Sequence, residues 1–162
     1  MPSVNELLGM ASQILAAYDG SEESAKAIEY ACDICNAMDA SITVVHAVQP
    51  DIYEAASDEA EAMTNFADEY RREILRTIDA AEEQGQEYLA EAETIIANQD
   101  QNGSTELLYG DPVNKILEYV ETEDIDTVVV GHQGQSERAH TSIGSVAQAL
   151  IERAPVPVIV TR

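Results

Sequence analysis

Five short runs of aliphatic and β-branched residues recur along this chain of 162 residues, and helix-length segments separate them. The runs are Ile14–Tyr18, Ser41–Val48, Ser104–Tyr109, Ile125–Val130 and Val156–Thr161. Strands that alternate with helices are typical of a parallel sheet, because right-handed crossovers place a helix on one face between successive strands. The pattern predicts an α/β fold with a five-stranded, parallel, doubly wound sheet, in which ligands bind outside the carboxyl ends of the strands.

Polar residues mark the starts of the predicted helices. Ser21 follows the turn sequence Asp-Gly after the first run, and Asp111 precedes Pro112 after the third. Both are good N-cap residues, and proline is tolerated at the first helical position because its missing N–H would have no partner there. We expect helices to begin after Ser21 and Asp111, with the last helix over Ile143–Arg153.

The middle of the chain, residues 51–103, departs from this alternation of short strand and helix segments. We expect a loop over Asp51–Ser57 and then a long, charged helical pattern over about Asp58–Asn98. A single helix of that length would be about 60 Å long, so Gly85 is predicted to divide it in two. With residues 1–12 as an N-terminal extension, the whole chain, 1–162, is predicted to form one domain.

Acidic residues dominate the charge, with 31 Asp and Glu against 8 Lys and Arg and a net charge of −23. Such a chain offers no basic patch for a phosphate backbone or an anionic lipid surface, so neither nucleic acid nor a membrane is an expected partner. No targeting segment or membrane-spanning run is visible, and we expect a cytoplasmic protein. The even spread of acids suggests adaptation to high salt, which a thermal melt across a KCl series would contradict if stability were complete in dilute buffer.

The most informative local pattern lies between the fourth strand and the last helix. Gly131 and Gly134 are followed, after nine intervening residues, by Gly144-Ser145. Glycine lets the backbone approach a ligand closely, and the first turn of a helix offers N–H groups and a positive dipole end to an anion. This G-x2-G-x9-G-S pattern suits a phosphate chain held between the loop and the helix start, with Ser145 as a cap and hydroxyl donor. A glycine at either position alone would indicate only a tight turn.

Other phosphate-binding patterns fit less well. A dinucleotide-binding fold requires G-x-G-x-x-G after the first strand, where this chain has Asp19-Gly20-Ser21-Glu22. A Walker loop requires G-K followed by Ser or Thr, which does not occur. A phospho-accepting receiver domain requires clustered acids after strand 1, and Asp19 stands there alone.

The ordered pieces ILAAYDGSEESAKAIEYA, ITVVHAV, YGDPVNKILEYV and GHQGQSERAHTSIGSVAQALIERAPVPVIVTR resemble the universal stress protein family. The last piece is similar to the glycine pattern of the ATP-binding subgroup of that family, here in an acidic, haloarchaeal-like version. The resemblance implies an adenine-nucleotide alpha-hydrolase-like three-layer sandwich with sheet order 3-2-1-4-5. It also implies an ATP-binding stress-response or regulatory protein in which the nucleotide is a bound ligand with slow or no turnover.

By the same resemblance, a defined set of residues would surround the nucleotide. They are Ala17, Tyr18, Asp19, Ala47, Val130, Gly131, Gln133, Gly134, Gly144, Ser145, Val146 and Ala147. The backbone of Ala47 would contact adenine, and the glycine loop and helix start would hold the ribose and phosphates. Asp19 would bond a ribose hydroxyl or help to hold Mg²⁺ or Mn²⁺, because a carboxylate repels phosphate unless a cation lies between them.

Two features of the chain depart from the family pattern. Gln135 stands where a basic residue often follows the second glycine, and Arg138 or His140 could supply the missing charge. Tyr18 is bulky for its place before Asp19 and could pack near the base or narrow the pocket. Two alternatives therefore stay open: an interaction module of the same fold that binds no nucleotide, and an enzyme, either a weak ATP hydrolase or an adenylyl-transferring relative.

Several tempting residues have plainer explanations. Cys32 and Cys35 form a C-x-x-C inside a helix, away from the helix start that would activate a thiol, so we expect buried apolar roles. His46 lies in an apolar strand and is expected to be a hydrogen-bonded core histidine. Ser145 at a helix start is not expected to be a nucleophile. Family members pair their last strands, so we expect a homodimer through Val156–Thr161, an apolar edge with nothing to cover it.

Overall fold

The computed structural model describes residue 1 and residues 12–48, 67–134 and 143–162. Most of the predicted N-terminal extension, the predicted loop 51–57, the start of the predicted long helix, and Arg138 and His140 lie outside the described residues. The elements are β1 (Gln13–Ala17), α1 (Glu22–Met38), β2 (Ser41–Val48), α2 (Ala67–Asn98), β3 (Gly103–Tyr109), α3 (Pro112–Thr122), β4 (Thr127–Gly131), α4 (Ser145–Arg153) and β5 (Val158–Thr161).

All five strands form one parallel sheet in the order β3-β2-β1-β4-β5, and the predicted fold class and strand order are confirmed. The central strand β1 pairs with β2 on one side and with β4 on the other, so that Ile14 lies opposite both Ile42 and Thr127. The direction of winding changes between β1 and β4. The chain after β1 and the chain after β4 therefore diverge to opposite faces, which opens a crevice at the carboxyl ends of these strands.

The two faces of the sheet are covered by different helices because side chains alternate along each strand. Ile14 and Ala16 point into one apolar cluster together with residues of α1 and α2. Leu15 points to the opposite face, where Ile116 of α3 and Leu150 of α4 complete a second cluster. The result is the predicted three-layer sandwich, with both clusters filled mainly by Ala, Val, Ile and Leu.

The observed cap residue matches the prediction for two helices and differs from it for a third. Ser21 caps α1 by accepting from the Ser24 N–H at 3.2 Å, and Asp111 caps α3 by accepting from the Asn114 N–H at 2.9 Å, as predicted. The prediction that Ser145 caps the last helix is wrong. Gly144 is the cap residue of α4 and makes no side-chain cap bond, while Ser145 is the first helical residue.

The predicted break at Gly85 is also wrong, because α2 runs without interruption over 32 residues. A Cβ atom at Gly85 would lie 2.7 Å from Cδ1 of Leu107 and 3.2 Å from Cδ2 of His46. The glycine therefore lets α2 lie close against β2 and β3, and this close packing offsets the helix-propensity cost of glycine, about 1 kcal/mol relative to alanine. In the described ranges no helix has both the length and the apolar character required to cross a bilayer.

Candidate functional site

A cleft opens at the carboxyl ends of β1, β2 and β4, at the place where the winding direction changes. It is bounded by the end of β1, the end of β2, the glycine turn after β4 and the first turn of α4. The residues predicted from the resemblance that line it are Ala17, Tyr18, Asp19, Ala47, Val130, Gly131, Gln133, Gly134, Ser145, Val146 and Ala147. Gly144 is not among the lining residues, although it is the cap residue of α4, and the first turn of α4 lines the cleft.

Five further residues line the cleft that the sequence did not indicate: Ser24, Val45, His46, Pro112 and Ile116. Val45 lies two residues before Ala47 in β2 and so shares its face, a relation that strand periodicity could have revealed. Pro112 and Ile116 come from the start of α3, which follows β3 and packs over the same face. They make the wall opposite the glycine turn apolar.

Asp19 is held in one orientation by the start of α1. Its Oδ1 accepts from the Ser21 N–H at 3.0 Å and from the Ser24 Oγ at 2.9 Å, and the Asp19 N–H is 3.3 Å from the same Oγ. Ser24 is only 4% exposed, so this network is nearly dry on that side. The other carboxylate oxygen, Oδ2, faces the glycine turn, where it lies 2.5 Å from the place that a Cβ of Gly134 would occupy.

Gly131 and Gly134 lack a side chain for different structural reasons. A Cβ at Gly131 would lie 2.8 Å from the Glu23 carbonyl carbon and 2.9 Å from the Ser24 backbone nitrogen, so glycine at 131 permits α1 to pack against the end of β4. At Gly134 the nearest atom is the carboxylate of Asp19 instead. Both glycines line the cleft, but Gly131 is also required by helix packing, whereas a Cβ at Gly134 would meet only the Asp19 carboxylate.

The first turn of α4 faces the cleft with its N–H groups. The first hydrogen bond within the helix runs from the Gln148 N–H to the Gly144 carbonyl at 2.9 Å, so the N–H groups of Val146 and Ala147 precede the helical ladder. The Gly144 N–H donates to the His132 carbonyl at 2.7 Å, which ties the helix start to the end of β4. The positive end of the helix dipole is thereby fixed beside the cleft.

Tyr18 borders the cleft, but its ring lies behind it. The ring belongs to the apolar cluster under α1 and α2, and the phenol oxygen donates to Oε2 of Glu91 on α2 at 2.8 Å. Burial and the Glu91 carboxylate raise the pKa of Tyr18 well above its usual range. The ring is also in edge contact with Tyr88, with 6.1 Å between ring centroids. The ring is therefore directed into the protein, and this placement favours neither packing against the base nor narrowing of the cleft.

The two cysteines are buried as predicted, whereas His46, predicted to be a core residue, lines the cleft. Cys32 and Cys35 are buried, and burial raises the pKa of each thiol to about 11, which disfavours the reactive thiolate. His46 is half-buried and hydrogen-bonded. Among the described residues, no group of three or more His, Cys, Asp or Glu side chains is arranged to hold a metal ion. Asp19 is one carboxylate, which could ligate a cation only together with oxygens from a ligand.

The model of the universal stress protein family matches residues 10–162. The stress response protein NhaX of Bacillus subtilis is 29% identical over 163 residues, covering 94% of this chain and 98% of the relative. The universal stress protein UspA of Lactobacillus plantarum has a similar structure, with a TM-score of 0.75 at 22% identity, over 94% of this chain and 98% of that one.

Three structurally similar proteins of this kind were solved with adenine nucleotides. One, from Archaeoglobus fulgidus, holds dAMP (TM-score 0.65, 19% identity, 94% of this chain and 98% of that one). Another, from Arabidopsis thaliana, holds AMP (TM-score 0.61, 16% identity, 93% and 90%). A third is in complex with cAMP (TM-score 0.62, 21% identity, 94% and 97%). The chain therefore belongs to the universal stress protein family and has its adenine-nucleotide alpha-hydrolase-like fold.

Proposed function

We propose that this chain is a stress-response protein that binds an adenine nucleotide, ATP in particular, in the cleft at the ends of β1, β2 and β4. The observation that carries the proposal is the pairing, in one cleft, of the α4 dipole end with a carboxylate held at the end of β1. A helix start favours phosphate, and a fixed carboxylate favours hydroxyl or amine donors. A nucleotide offers both kinds of group a few ångströms apart.

In this proposal the base lies toward β2, the ribose near Asp19 and the phosphates at α4. The base would lie against the apolar wall of Val45, Pro112 and Ile116. The ribose hydroxyls would donate to Asp19, whose orientation is already set by Ser21 and Ser24. The N–H groups of Val146 and Ala147 would hold a triphosphate, and Asp19 would be the residue to hold a Mg²⁺ or Mn²⁺ that accompanies it, which would offset the like charges.

We further propose that the nucleotide is a ligand whose binding stabilises the folded protein, with slow or no turnover. Asp19 is the one carboxylate among the described lining residues, and its Oδ1 already accepts two hydrogen bonds. Because Oδ2 would accept from the ribose hydroxyls in this proposal, neither oxygen of Asp19 is left to act as a general base for a water molecule. The location that fits this function, and the acidic surface, is a cytoplasm of high salt.

Nucleotide that remains bound through purification tests the proposal directly. The protein is purified in high KCl, denatured, and the released small molecules are identified by mass spectrometry. We expect ATP or ADP from the wild type and none from the Gly134→Asp/Gly144→Asp variant, which places two carboxylates beside the phosphate position. If the wild type releases no nucleotide and takes up none from Mg-ATP, the cleft is not a nucleotide site.

One observation favours a second candidate, an interaction module of the same fold that binds no nucleotide. No lysine or arginine stands among the described residues that line the cleft, and the chain carries a net charge of −23. Repulsion from such a charge weakens the binding of any anion at low ionic strength. The second candidate predicts the negative result in the purification experiment even at high KCl, where that repulsion is screened.

We also propose a homodimer through the edge strand β5. β5 begins at Val158 because Pro157 lacks the N–H that a ladder needs, and it pairs only with β4 within the described sheet. The Pro157 carbonyl accepts from the Val128 N–H of β4, and the Thr161 carbonyl accepts from the N–H of His132, just after β4, so the odd-numbered residues of β5 face β4. The alternation of a parallel ladder then directs the N–H groups of Val158 and Val160 outward.

Proline at position 160 tests this interface. Val160→Pro removes an outward N–H and leaves the rungs to β4 in place, whereas Val160→Ala removes side-chain contacts and keeps the N–H. We expect wild type and Val160→Ala to be dimers by light scattering in high salt, and Val160→Pro to be a monomer with unchanged circular dichroism. A monomeric wild type, or a dimeric proline variant, would show that β5 is not the interface.

A further inference from the structure

The ladder between β1 and β2 ends in an unusual way beside the cleft. Its last backbone bond runs from the Tyr18 N–H to the Val45 carbonyl at 2.9 Å. In a regular parallel ladder the next bond would run from the Ala47 N–H to the Tyr18 carbonyl. That bond is not among the backbone hydrogen bonds of the described chain, although both residues are described. Ala47 still faces this side, because Val48, its neighbour, bonds toward β3 through the Gly110 N–H at 3.4 Å.

The imidazole of His46 occupies the acceptor that Ala47 would otherwise use. Its Nδ1 lies 2.8 Å from the Tyr18 carbonyl oxygen. A carbonyl can only accept a hydrogen bond, so Nδ1 carries the proton and donates. The side chain of one strand residue therefore substitutes for the backbone N–H of the next.

We propose that His46 is a positioning residue of the cleft: by capturing the Tyr18 carbonyl it ends the β1–β2 ladder one bond early and keeps the Ala47 N–H available to a ligand. Ala47 lines the cleft, and β1 has ended opposite it, since Ala17 is paired with Val45. The N–H and carbonyl of Ala47 thus form a donor and an acceptor side by side at the cleft wall. Flat nitrogen heterocycles with an acceptor beside an amine or N–H donor, such as adenine, complement this pair.

Three residues of α2 hold His46 and Tyr18 in this arrangement from behind. Tyr88 meets the imidazole edge-on, with 5.2 Å between ring centroids. Gly85, one turn earlier, gives the imidazole its space, because a Cβ there would lie 3.2 Å from Cδ2. Glu91, one turn later, accepts from the Tyr18 hydroxyl at 2.8 Å. Because α2 continues as one helix through Gly85, positions 85, 88 and 91 lie on the same side of the helix, behind the cleft.

The role of His46 can be separated from packing by two substitutions. His46→Phe keeps a ring against Tyr88 and removes the donor. His46→Asn is the matched control, since its side-chain N–H₂ can donate from nearly the same position as Nδ1. In His46→Phe the Tyr18 carbonyl loses its partner, and a buried carbonyl without a donor is costly, so the Ala47 N–H should turn to it and complete the ladder.

The first measurement is amide hydrogen exchange of Ala47 by NMR in the full chain without added ligand. We expect fast exchange in the wild type and in His46→Asn, and exchange slowed about tenfold in His46→Phe, the effect of one added hydrogen bond. The ¹⁵N shifts of His46 should show a protonated Nδ1. A wild-type Ala47 amide that is already protected would overturn the proposal, because the ladder would then be complete.

The second measurement is the affinity for AMP and Mg-ATP in high salt, and this part rests on the proposed nucleotide function. We expect His46→Phe to bind about fivefold to tenfold more weakly, the loss of one ligand hydrogen bond, and His46→Asn to bind as the wild type does. Equal affinities for all three proteins would overturn the positioning role. A wild type that binds neither nucleotide would overturn the proposed function alone, since the exchange of Ala47 still decides what His46 does.

Discussion

Gly131→Val is expected to lower the free energy of unfolding by about 3 kcal/mol, the upper part of the range for forcing extra atoms into a packed interior. The added Cβ would lie within 2.9 Å of two backbone atoms of Glu23 and Ser24, and backbone at the start of a helix cannot turn aside as a side chain can. The first turn of α1 would have to move away from β4. Urea denaturation followed by circular dichroism measures the effect.

Gly134→Val is the matched control, because it carries the same change three residues later. Its Cβ meets the carboxylate end of Asp19, at 2.5 Å, and not the backbone. The carboxylate end can shift by a fraction of an ångström while Oδ1 keeps its bonds to Ser21 and Ser24, at a cost of about 1 kcal/mol for the off-rotamer side chain. We expect a small loss of stability and a large loss of nucleotide affinity, and equal destabilisation by the two substitutions would contradict the different reasons given for the two glycines.

Gly144→Asp is expected to weaken the binding of Mg-ATP about a hundredfold while leaving the protein as stable as before or more so. A like charge at the phosphate position costs several kcal/mol, and a hundredfold is about 2.7 kcal/mol. The same carboxylate is a good cap for α4, which now has glycine at its cap position, with φ −62° and ψ 158°, and no side-chain cap bond. Binding and stability should thus change in opposite directions.

Gly144→Ser separates the cap from the charge. Serine can accept from the N–H groups of the first turn without a negative charge, so it should raise stability by a few tenths of a kcal/mol, with a much smaller loss of affinity. Isothermal titration in high KCl and thermal melting measure the two quantities on the same samples. If Gly144→Asp kept wild-type affinity for Mg-ATP, the phosphates would lie somewhere other than at the start of α4.

The sheet could be predicted from the sequence because its rules are local and general. Apolar runs of strand length, separated by helical segments, leave few topologies once crossovers are right-handed. Glycine was harder to interpret, because its presence in the sequence does not show which neighbouring atoms leave no room for a side chain. At Gly85 the neighbours are Leu107 and His46 on two strands, and at Gly131 they are Glu23 and Ser24. Each partner is distant in sequence, so a helix break was the natural inference at Gly85, and the packing role of Gly131 could not be seen beside its predicted place in the cleft.

In the candidate site, too, local features could be predicted from the sequence, whereas contacts between distant residues could not. Most of the residues around the cleft follow from the resemblance, since strand ends and helix starts of one fold lie in corresponding places. The direction of the Tyr18 ring follows from strand alternation, which carries it to the face of Ile14 and Ala16, but its partner Glu91 is 73 positions away. His46 was predicted to be a hydrogen-bonded core residue, and it is hydrogen-bonded. That its partner is the Tyr18 carbonyl, which ends a ladder, depends on a tertiary contact that no local pattern contains.

The length of α2 has a mechanical consequence. Its contacts with the sheet involve its C-terminal part, where Gly85, Leu89, Ala92 and Ile96 are all buried, whereas none of its described side chains before Gly85 is buried. From Ala67 to Gly85 the axis rises about 27 Å at 1.5 Å per residue, so a rotation of one degree about the packed end displaces the far end by about half an ångström. Tyr88 and Glu91 stand at the pivot. If α2 rotates as a rigid rod, small shifts of the strand ends beside the cleft become larger displacements at its N-terminal end.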